Sequence, residues 1–416
     1  MSSFATLDAF AERFSAARVL VRLDLNSPIE DGTVQDNRRF ERHARTVSEL
    51  AAAGHRVVCL AHQSRPGRED FTHLEQHAGV LSSHLDRDVM YVEDVCGPAA
   101  VDAIAAAEPG EVLLLDNVRM HDDELADREP AAHAESELVT SLAAVADAYV
   151  NDAYSAAHRG HASLVGFPYR LPAYAGRVME TEFEANSAIA NREFDGRVTM
   201  IVGGTKATDV IQVMDGIGDK VDSFCLGGIA GELFLRAAGH SVGYDVGDSN
   251  RYDEQWERNE ATIRAVLDER GDQIHLPLDV AYEDEYDQRA EIALWEVDEK
   301  TTSFLDVGSG TVDAYREIVE DSEAVFVKGA LGVFEDERFA TGTVGVLEAI
   351  ADTDCFSVVG GGDTSRAIEM YGLNEADFSH VSIAGGAYIR ALTGEPLVAV
   401  ETLEQCRPEE PETMTD

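Results

Sequence analysis

Lysine is nearly absent from this chain: Lys206, Lys220, Lys300 and Lys328 are the only four in 416 residues. Acids outnumber bases 79 to 33, a net charge of −46. Such a chain repels nucleic acid and anionic membrane alike, so neither is expected as a partner. No apolar run approaches the roughly 18 residues of a membrane span, and Met1–Phe10 has no basic stretch leading into an apolar core, so no secretory leader is expected. The five cysteines, Cys59, Cys96, Cys225, Cys355 and Cys406, form no Cys-x-x-Cys pair. That argues against a zinc site or a disulfide framework and for a reducing cytoplasm. Two nucleotide signatures are also missing. The G-x-x-x-x-G-K-[ST] spacing does not occur around Lys206, and no first βα turn carries G-x-G-x-x-G.

The charge that is present has a pattern. In dilute buffer so acidic a surface repels itself, whereas at molar salt the Debye length falls to about 3 Å and the repulsion is screened. A very salty cell interior accounts for the composition. An acidic tail does not, because the acids run throughout and only Glu409–Asp416 resembles one. One stretch breaks the trend: residues 1–68 hold ten arginines against eight acids, and the other 348 residues carry −48. A basic pocket inside so acidic a chain points to a small anionic ligand. Arg42 and Arg45 are expected instead to pair with acids on their own helix face.

The length exceeds one ordinary hydrophobic core, so two domains are expected. Short β-branched runs alternate with Ala- and Glu-rich segments, the pattern of βαβ units feeding a parallel sheet. In the first half the runs lie at Val19–Leu23, Val57–Ala61, Val89–Val92, Glu111–Leu115 and Ala148–Asn151, with helices such as Arg38–Ala53 and Glu135–Val145 between them. In the second half they lie at Val198–Val202, Ser223–Leu226, Ile274–Leu276, Ala324–Val327, Phe356–Val359 and His380–Ile383. Between the sets, Tyr174–Arg192 brings Met179, Phe183 and Ile189 near one helical face and shows no strand. The expected fold is α/β: two doubly wound, Rossmann-like parallel-sheet domains joined by a hinge helix. Their spans are 1–172 with a returning segment 393–416, a hinge 173–193, and 194–392.

Ligands of open parallel sheets bind beyond the carboxyl ends of the strands. In the first half these ends carry Asp24 and Asn26, then His62-Gln63-Ser64-Arg65, then Arg119, then Asp152 and His158-Arg159, with Arg39 starting a helix close to the first. Arginine forks bind carboxylate and phosphate oxygens bidentately, and four such ends in register read as one converging anion site. In the second half nearly every strand ends in glycine: Gly203-Gly204, Gly227-Gly228, Gly308, Gly329, Gly360-Gly361-Gly362 and Gly385-Gly386. Backbone N–H groups approach phosphate closely at such turns, and a helix N-terminus adds positive potential. Lys206, after two glycines, suits a phosphoryl group in transit. Asp363, after three glycines, suits Mg²⁺ on nucleotide phosphates better than the alternative of a helix N-cap. His73, His77 and His84 are expected on an exposed helix face rather than around a metal, and His158 and His161 are expected to orient the Arg159 loop.

At this point a family resemblance emerges. VLVRLDLN at 19–26, DNRR at 36–39, HQSRP at 62–66, DNVR at 116–119, NDAYSAAHR at 151–159, GGTK at 203–206, GVFE at 332–335, GGDT at 361–364 and SIAGGA at 382–387 resemble, in order and spacing over residues 19–400, the motifs of phosphoglycerate kinases. The resemblance implies reversible phosphoryl transfer between ATP and 3-phosphoglycerate, giving ADP and 1,3-bisphosphoglycerate, with Mg²⁺, by a cytoplasmic monomer. It implies that Asp24, Leu25, Asn26, Arg39, His62, Gln63, Ser64, Arg65, Arg119 and Arg159 grip 3-phosphoglycerate in the first domain. Arg39, Lys206 and the Gly386 N–H would stabilise the moving phosphoryl group. Gly204, Thr205, Lys206, Gly227, Gly228, Gly361, Gly362, Asp363 and Thr364 would meet the nucleotide, Glu335 its ribose, and Asp363 the metal. The chain departs from the family at Val210, where a second lysine is usual, and at Lys328-Gly329-Ala330, where Asn-Gly-Pro is usual; Lys328 would supply the missing charge. It also has Ser382-Ile383-Ala384-Gly385-Gly386 in place of Ser-Thr-Gly-Gly-Gly. The rival readings are a nicotinamide-dependent dehydrogenase and a catalytically impaired nucleotide-binding homologue.

Overall fold

A computed structural model describes residues 3–191, 194–247 and 250–408. By compactness the chain divides after Glu184 and returns to its first unit at Pro396. The acidic stretch Glu409–Asp416 lies outside the described residues.

In the first unit, β1 (Arg18–Arg22), β2 (Arg56–Leu60), β3 (Val89–Val92), β4 (Val112–Leu115), β5 (Ala148–Asn151) and β6 (Ala173–Ala175) form one sheet in the order β3-β4-β2-β1-β5-β6. Every pairing is parallel. Helices cover both faces, which is why β1, β2, β4 and β5 are nearly continuous buried runs rather than alternating ones. Val19, Val21, Val57, Leu114 and Val150 pack there with Phe40, Val47 and Leu50 from the helix Arg38–Ala52. Emptying one such position, as in Leu114→Ala, typically costs about 2–5 kcal/mol. The chain leaves β1 toward β2 but comes back on its other side at β5, so the switch point lies between the carboxyl ends of β1 and β5.

Ala173–Ala175 corrects the sequence expectation, which put a helix there. Three residues are too short to show an alternation, and the strand is defined by its partner, with Tyr149, Val150 and Asn151 opposite Ala173, Tyr174 and Ala175. The helix begins at Arg177 and runs to Asn191; the Ile189 side chain and Arg192 lie outside the described residues. Its start is fixed by the buried Asp152, which accepts from Val178 N at 2.8 Å, and by Arg177, whose guanidinium reaches Asp8, Glu49 and Glu180. The returning helix Val398–Gln405 belongs to the same unit, and Ala399 N–H donates to the Ala157 carbonyl at 2.9 Å.

The second unit contains β7 (Val198–Val202), β8 (Ser223–Leu226), β9 (Ile274–His275), β10 (Asp279–Glu283), β11 (Arg289–Ala293), β12 (Phe304–Val307), β13 (Ala324–Lys328), β14 (Phe356–Gly360) and β15 (His380–Ser382). Six make a parallel sheet in the order β9-β8-β7-β13-β14-β15, with its switch point between β7 and β13. The other three form an antiparallel sheet in the order β11-β10-β12 that the sequence pattern did not announce. Charges inside the strands (Arg289, Glu291 and Asp306) pair with one another and mask the alternation. The apolar residues of that sheet, Val280 and Phe304, pack on Leu235, Val242 and Leu294. No helix among the described residues is long and apolar enough to cross a membrane.

Candidate active site

The first unit's switch point holds a cavity of about 370 Å³ lined by Asn26, His62, Ser64, Arg65, Arg68, Asp70, Arg119 and Arg159. Each cation is placed by its own element. Asn37 caps the helix that carries Arg39, accepting from Arg39 N at 3.0 Å, and the Arg39 guanidinium meets the Asp24 carboxylate at 2.5 Å. Asn117 does the same for Arg119, accepting from Arg119 N at 3.1 Å while its amide donates to the Gln63 and Thr72 carbonyls at 2.9 Å. Asn26 accepts from Ser64 N at 2.6 Å, holding a serine whose φ of 53° is left-handed. The Arg119 guanidinium donates to the Ser64 carbonyl, and Arg159 Nε donates to His158 Nε2 at 3.2 Å.

Beneath the cavity lies a network that the sequence reading missed. Arg22, the last residue of β1, is fully buried; it donates to Ser163 Oγ at 2.7 Å and reaches His62 Nδ1 at 3.2 Å and Glu124 Oε1 at 3.7 Å. Glu124 is buried too, and accepts from Ser163 N and Oγ at 2.8 Å each. Arginine has no acceptor, so His62 Nδ1 must be the unprotonated nitrogen of a neutral ring. The electrostatics agree: burial, together with Arg22, Arg119 and Arg159, holds His62 well below the ordinary histidine range despite Asp24. Burial raises Asp24, but the opposing charge of Arg39 and the hydrogen bonds from Ser155 and Asn26 N–H win and keep it ionised. Burial and the like charges of Arg159 and Arg22 push Arg119 down to about 9, and burial followed by Arg65 lowers Arg159. Cations crowded until they disfavour one another form a site that an anion relieves. A cation inside the apolar run Val19–Leu23 is the signal that could have flagged Arg22.

Several expected residues stand elsewhere. Leu25 and Gln63 are fully buried and do not line the cavity. Gln63 ties its loop down instead: its Oε1 accepts from Ser27 N at 2.9 Å, so the His77 ring 3.0 Å away must be the donor. His77 is therefore buried, not on an exposed face with His73 and His84, because its helix packs that side on Phe40 and Gln63. His73 pairs with Asp116 at 2.5 Å and His84 with Asp36 at 2.8 Å. Asp152, expected at the rim, is buried and bridges His43, at 2.8 Å, to the helix start at Val178. Arg45 pairs with Glu41, as expected. Arg68 and Asp70 line the cavity without having been singled out.

In the second unit the switch point between β7 and β13 opens into a cavity of about 530 Å³ lined by Gly204, Thr205, Gly228, Glu335, Asp363 and apolar residues including Val280, Phe304, Leu331 and Phe334. Its turns leave no room for side chains. A Cβ on Gly203 would fall 2.1 Å from the Ala330 carbonyl oxygen, and Gly204 N–H donates to that same carbonyl at 2.7 Å. Gly204 and Gly361 hold φ of +92° and +109°, open to glycine alone without strain. The Lys206 turn is pinned by Gln255, which accepts from Ala207 N at 2.8 Å and donates to the Thr205 carbonyl. Lys206 itself is exposed at the N-cap position of the helix Ala207–Ile217. Gly362 opens the helix Gly362–Met370 and Gly386 opens Gly386–Leu392. The cap position of the former is Gly361, so Asp363 is not that helix's N-cap. Thr364 is buried with its hydroxyl donated to the Gly360 carbonyl at 2.8 Å. Gly227 precedes the helix that Gly228 begins. Lys328 is paired with Asp209 at 2.7 Å, and Val210, in the usual lysine's place, is buried. No group of three or more metal-ligating side chains gathers among the described residues. One carboxylate, Asp363, beside glycine turns fits a Mg²⁺ ion carried chiefly by nucleotide oxygens.

Two α/β units, each with a cavity at the carboxyl ends of a parallel sheet, form the frame of a phosphotransferase. Residues 9–395 match the family described as phosphoglycerate kinase. The chain is 69% identical to a phosphoglycerate kinase of Halorubrum lacusprofundi over 97% of its own length and 98% of the relative's, and 64% identical to that of Haloarcula marismortui over 97% and 100%. It superposes on the crystal structure of phosphoglycerate kinase from Pyrococcus horikoshii with a TM-score of 0.88 at 34% identity, covering 97% of this chain and 99% of the other. The chain belongs to the phosphoglycerate kinase family. Neither the dehydrogenase nor the impaired homologue finds support in these relationships, and the halophilic relatives accord with the acidic composition.

Proposed function

We propose that this enzyme transfers a phosphoryl group between ATP and 3-phosphoglycerate, the first unit holding 3-phosphoglycerate and 1,3-bisphosphoglycerate and the second holding ATP or ADP with Mg²⁺. The observation that carries the assignment is the cavity where Arg65, Arg68, Arg119 and Arg159 converge over a neutral His62. Asn26, His62 and these arginines bind the phosphate and carboxylate of the substrate, and Asp24 orients Arg39. In the second unit the backbone N–H groups of Gly361 and Gly362 donate to the phosphates, the Gly204 and Gly228 turns let the phosphates come close, Glu335 accepts from the ribose hydroxyls, and Asp363 would hold Mg²⁺, which neutralises phosphate charge when bound.

The substrate carboxylate is already an ionised nucleophile and needs no general base. The protein's work is alignment and neutralisation of spreading charge, by Arg39, Lys206 and the Gly386 N–H. Exclusion of water protects ATP from hydrolysis, and the helix Arg177–Asn191 serves as the hinge. The enzyme acts in the cytoplasm as a monomer, and light scattering in molar KCl tests the latter. The assignment of substrates is tested by ATP-dependent acyl-phosphate formation in molar KCl. Turnover that needs 3-phosphoglycerate supports it, and ATP consumption indifferent to 3-phosphoglycerate contradicts it.

A further inference from the structure

Among the wall residues of the second unit's cavity that the mechanism above does not use is Glu232. Glu232 stands one turn into the helix Gly228–Ala237 and lines the cavity beside Tyr252 and Phe304, with only 6% of its surface exposed. Its Oε2 accepts from Lys300 Nζ at 2.8 Å and from Gly243 N at 3.3 Å, and its Oε1 accepts from Tyr252 Oη at 2.6 Å. Lys300 is itself buried, its ammonium 3.9 Å from the Tyr252 ring centre and 5.3 Å from that of Phe304. The Lys300 backbone is tied in as well, its N–H donating to Tyr244 Oη at 2.6 Å and its carbonyl accepting from the same hydroxyl at 2.8 Å.

A buried ion pair seldom adds stability over apolar residues of the same volume. Here one of only four lysines in the chain is spent on holding a carboxylate at the wall of a cavity. Lys300 and Gly243 occupy Oε2, whereas Oε1 has one donor and keeps a lone pair for another. Around it, Val280, Phe304 and Leu331 supply apolar walls suited to a flat heterocycle.

Building on the reading of this cavity as the nucleotide site, we propose that Glu232 selects the base, its Oε1 accepting a hydrogen bond from the 6-amino group of adenine, with Lys300 and Tyr252 as positioning residues that hold the carboxylate in place. A 6-oxo purine would set a carbonyl oxygen against that carboxylate, two acceptors with no proton between them. A site built to bond a donor discriminates strongly against the analogue that lacks it.

The test is calorimetric titration of ADP and of IDP onto the full chain in molar KCl, which reads binding without turnover. The wild type is expected to bind ADP at least roughly tenfold more tightly than IDP. In Glu232→Gln, whose amide turns either its oxygen or its NH₂ toward the base, the preference should fall below about threefold. Tyr252→Phe should lie between. A ratio unchanged in Glu232→Gln, or no preference in the wild type, overturns the assignment. Should Glu232→Gln fail to fold, the double variant Glu232→Gln/Lys300→Met, which removes both charges together, carries the same two outcomes. Wild-type protein that binds neither nucleotide overturns the nucleotide reading of the cavity itself, whereas binding with unaltered preference overturns base selection alone.

Discussion

The two units prepare for anions by opposite means. The first collects formal charge on side chains, and each cation there needs support: Asp24 for Arg39, Glu124 and Ser163 for Arg22, the Ser64 carbonyl for Arg119. The second removes side chains and exposes backbone, so its support is steric: glycine where a Cβ would strike the facing loop, as at Gly203 and Gly228. Side-chain charge gives strong, directional grip on carboxylate and phosphate but leaves the cavity electrostatically uneasy when empty, as the lowered Arg119 and Arg159 show. Backbone N–H groups carry no net charge to bury and suit a ligand that brings its own cation. The histidines divide in the same way: ten of the 13 precede residue 185. Burial lowers His55, His62, His77, His133 and His161 there, against His275 alone in the second unit among the described residues.

The sharpest way to break this contrast is to strip the support from one unit. Glu124→Ala leaves Arg22 buried without its counter-charge and should destabilise the first unit by about 3–5 kcal/mol, read as an early transition in chemical denaturation. A single transition with unchanged midpoint would deny the role of the pair. In the second unit, Gly203→Ala should weaken ADP binding while 3-phosphoglycerate affinity stays put, since the loop facing Ala330 must shift.

Next in size are the charges proposed to meet the moving phosphoryl group. Arg39→Ala and Lys206→Ala should each lower turnover roughly 10²–10³-fold with little change in either KM. Near-normal turnover in steady-state assays would remove both from the reaction.

Acid separates the units more gently. Burial lowers His77 to about 4, so the unfolded chain takes up its proton first. This contribution to stability is whole above the unfolded value near 6.5 and is lost as pH falls toward 4, by about 1.4 kcal/mol per pH unit. In the second unit burial raises Asp306 to about 6 against Arg289 and the Gly342 N–H, so its folded form binds the proton more readily and gains stability as pH falls from about 6 to 4. Thermal melts between pH 6.5 and 4.5 should therefore show the first unit failing first, and His77→Gln should flatten its slope. The smallest shift expected is from salt: with acids in excess in both units, raising KCl toward molar should lift the melting temperature by a few degrees. An unchanged melt in low salt would leave the acidic composition without this explanation.

Most of the scaffold was legible because parallel strands covered on both faces are apolar throughout. β3, β5, β7 and β8 coincide with their expected spans, and the other parallel strands except β6 differ by a residue or two. β6 escaped because three residues show no period, and the antiparallel sheet because its strands carry the paired charges Arg289, Glu291 and Asp306. Within the candidate site, strand ends were readable and side-chain direction was not. Gln63 and Leu25 occupy motif positions yet point into the packed interior, whereas Arg68, two residues beyond the motif, lines the cavity. The buried partners Arg22, Glu124 and Ser163 are distant in sequence, and only the fold brings them together.

The central claim, that guanidinium groups serve one substrate and glycine turns the other, is tested most directly by titrating 3-phosphoglycerate and ADP separately onto wild type and Arg119→Ala in molar KCl. The account predicts that 3-phosphoglycerate affinity falls by roughly tenfold or more while ADP affinity is unchanged. Undiminished 3-phosphoglycerate binding, or an equal loss for ADP, would contradict it.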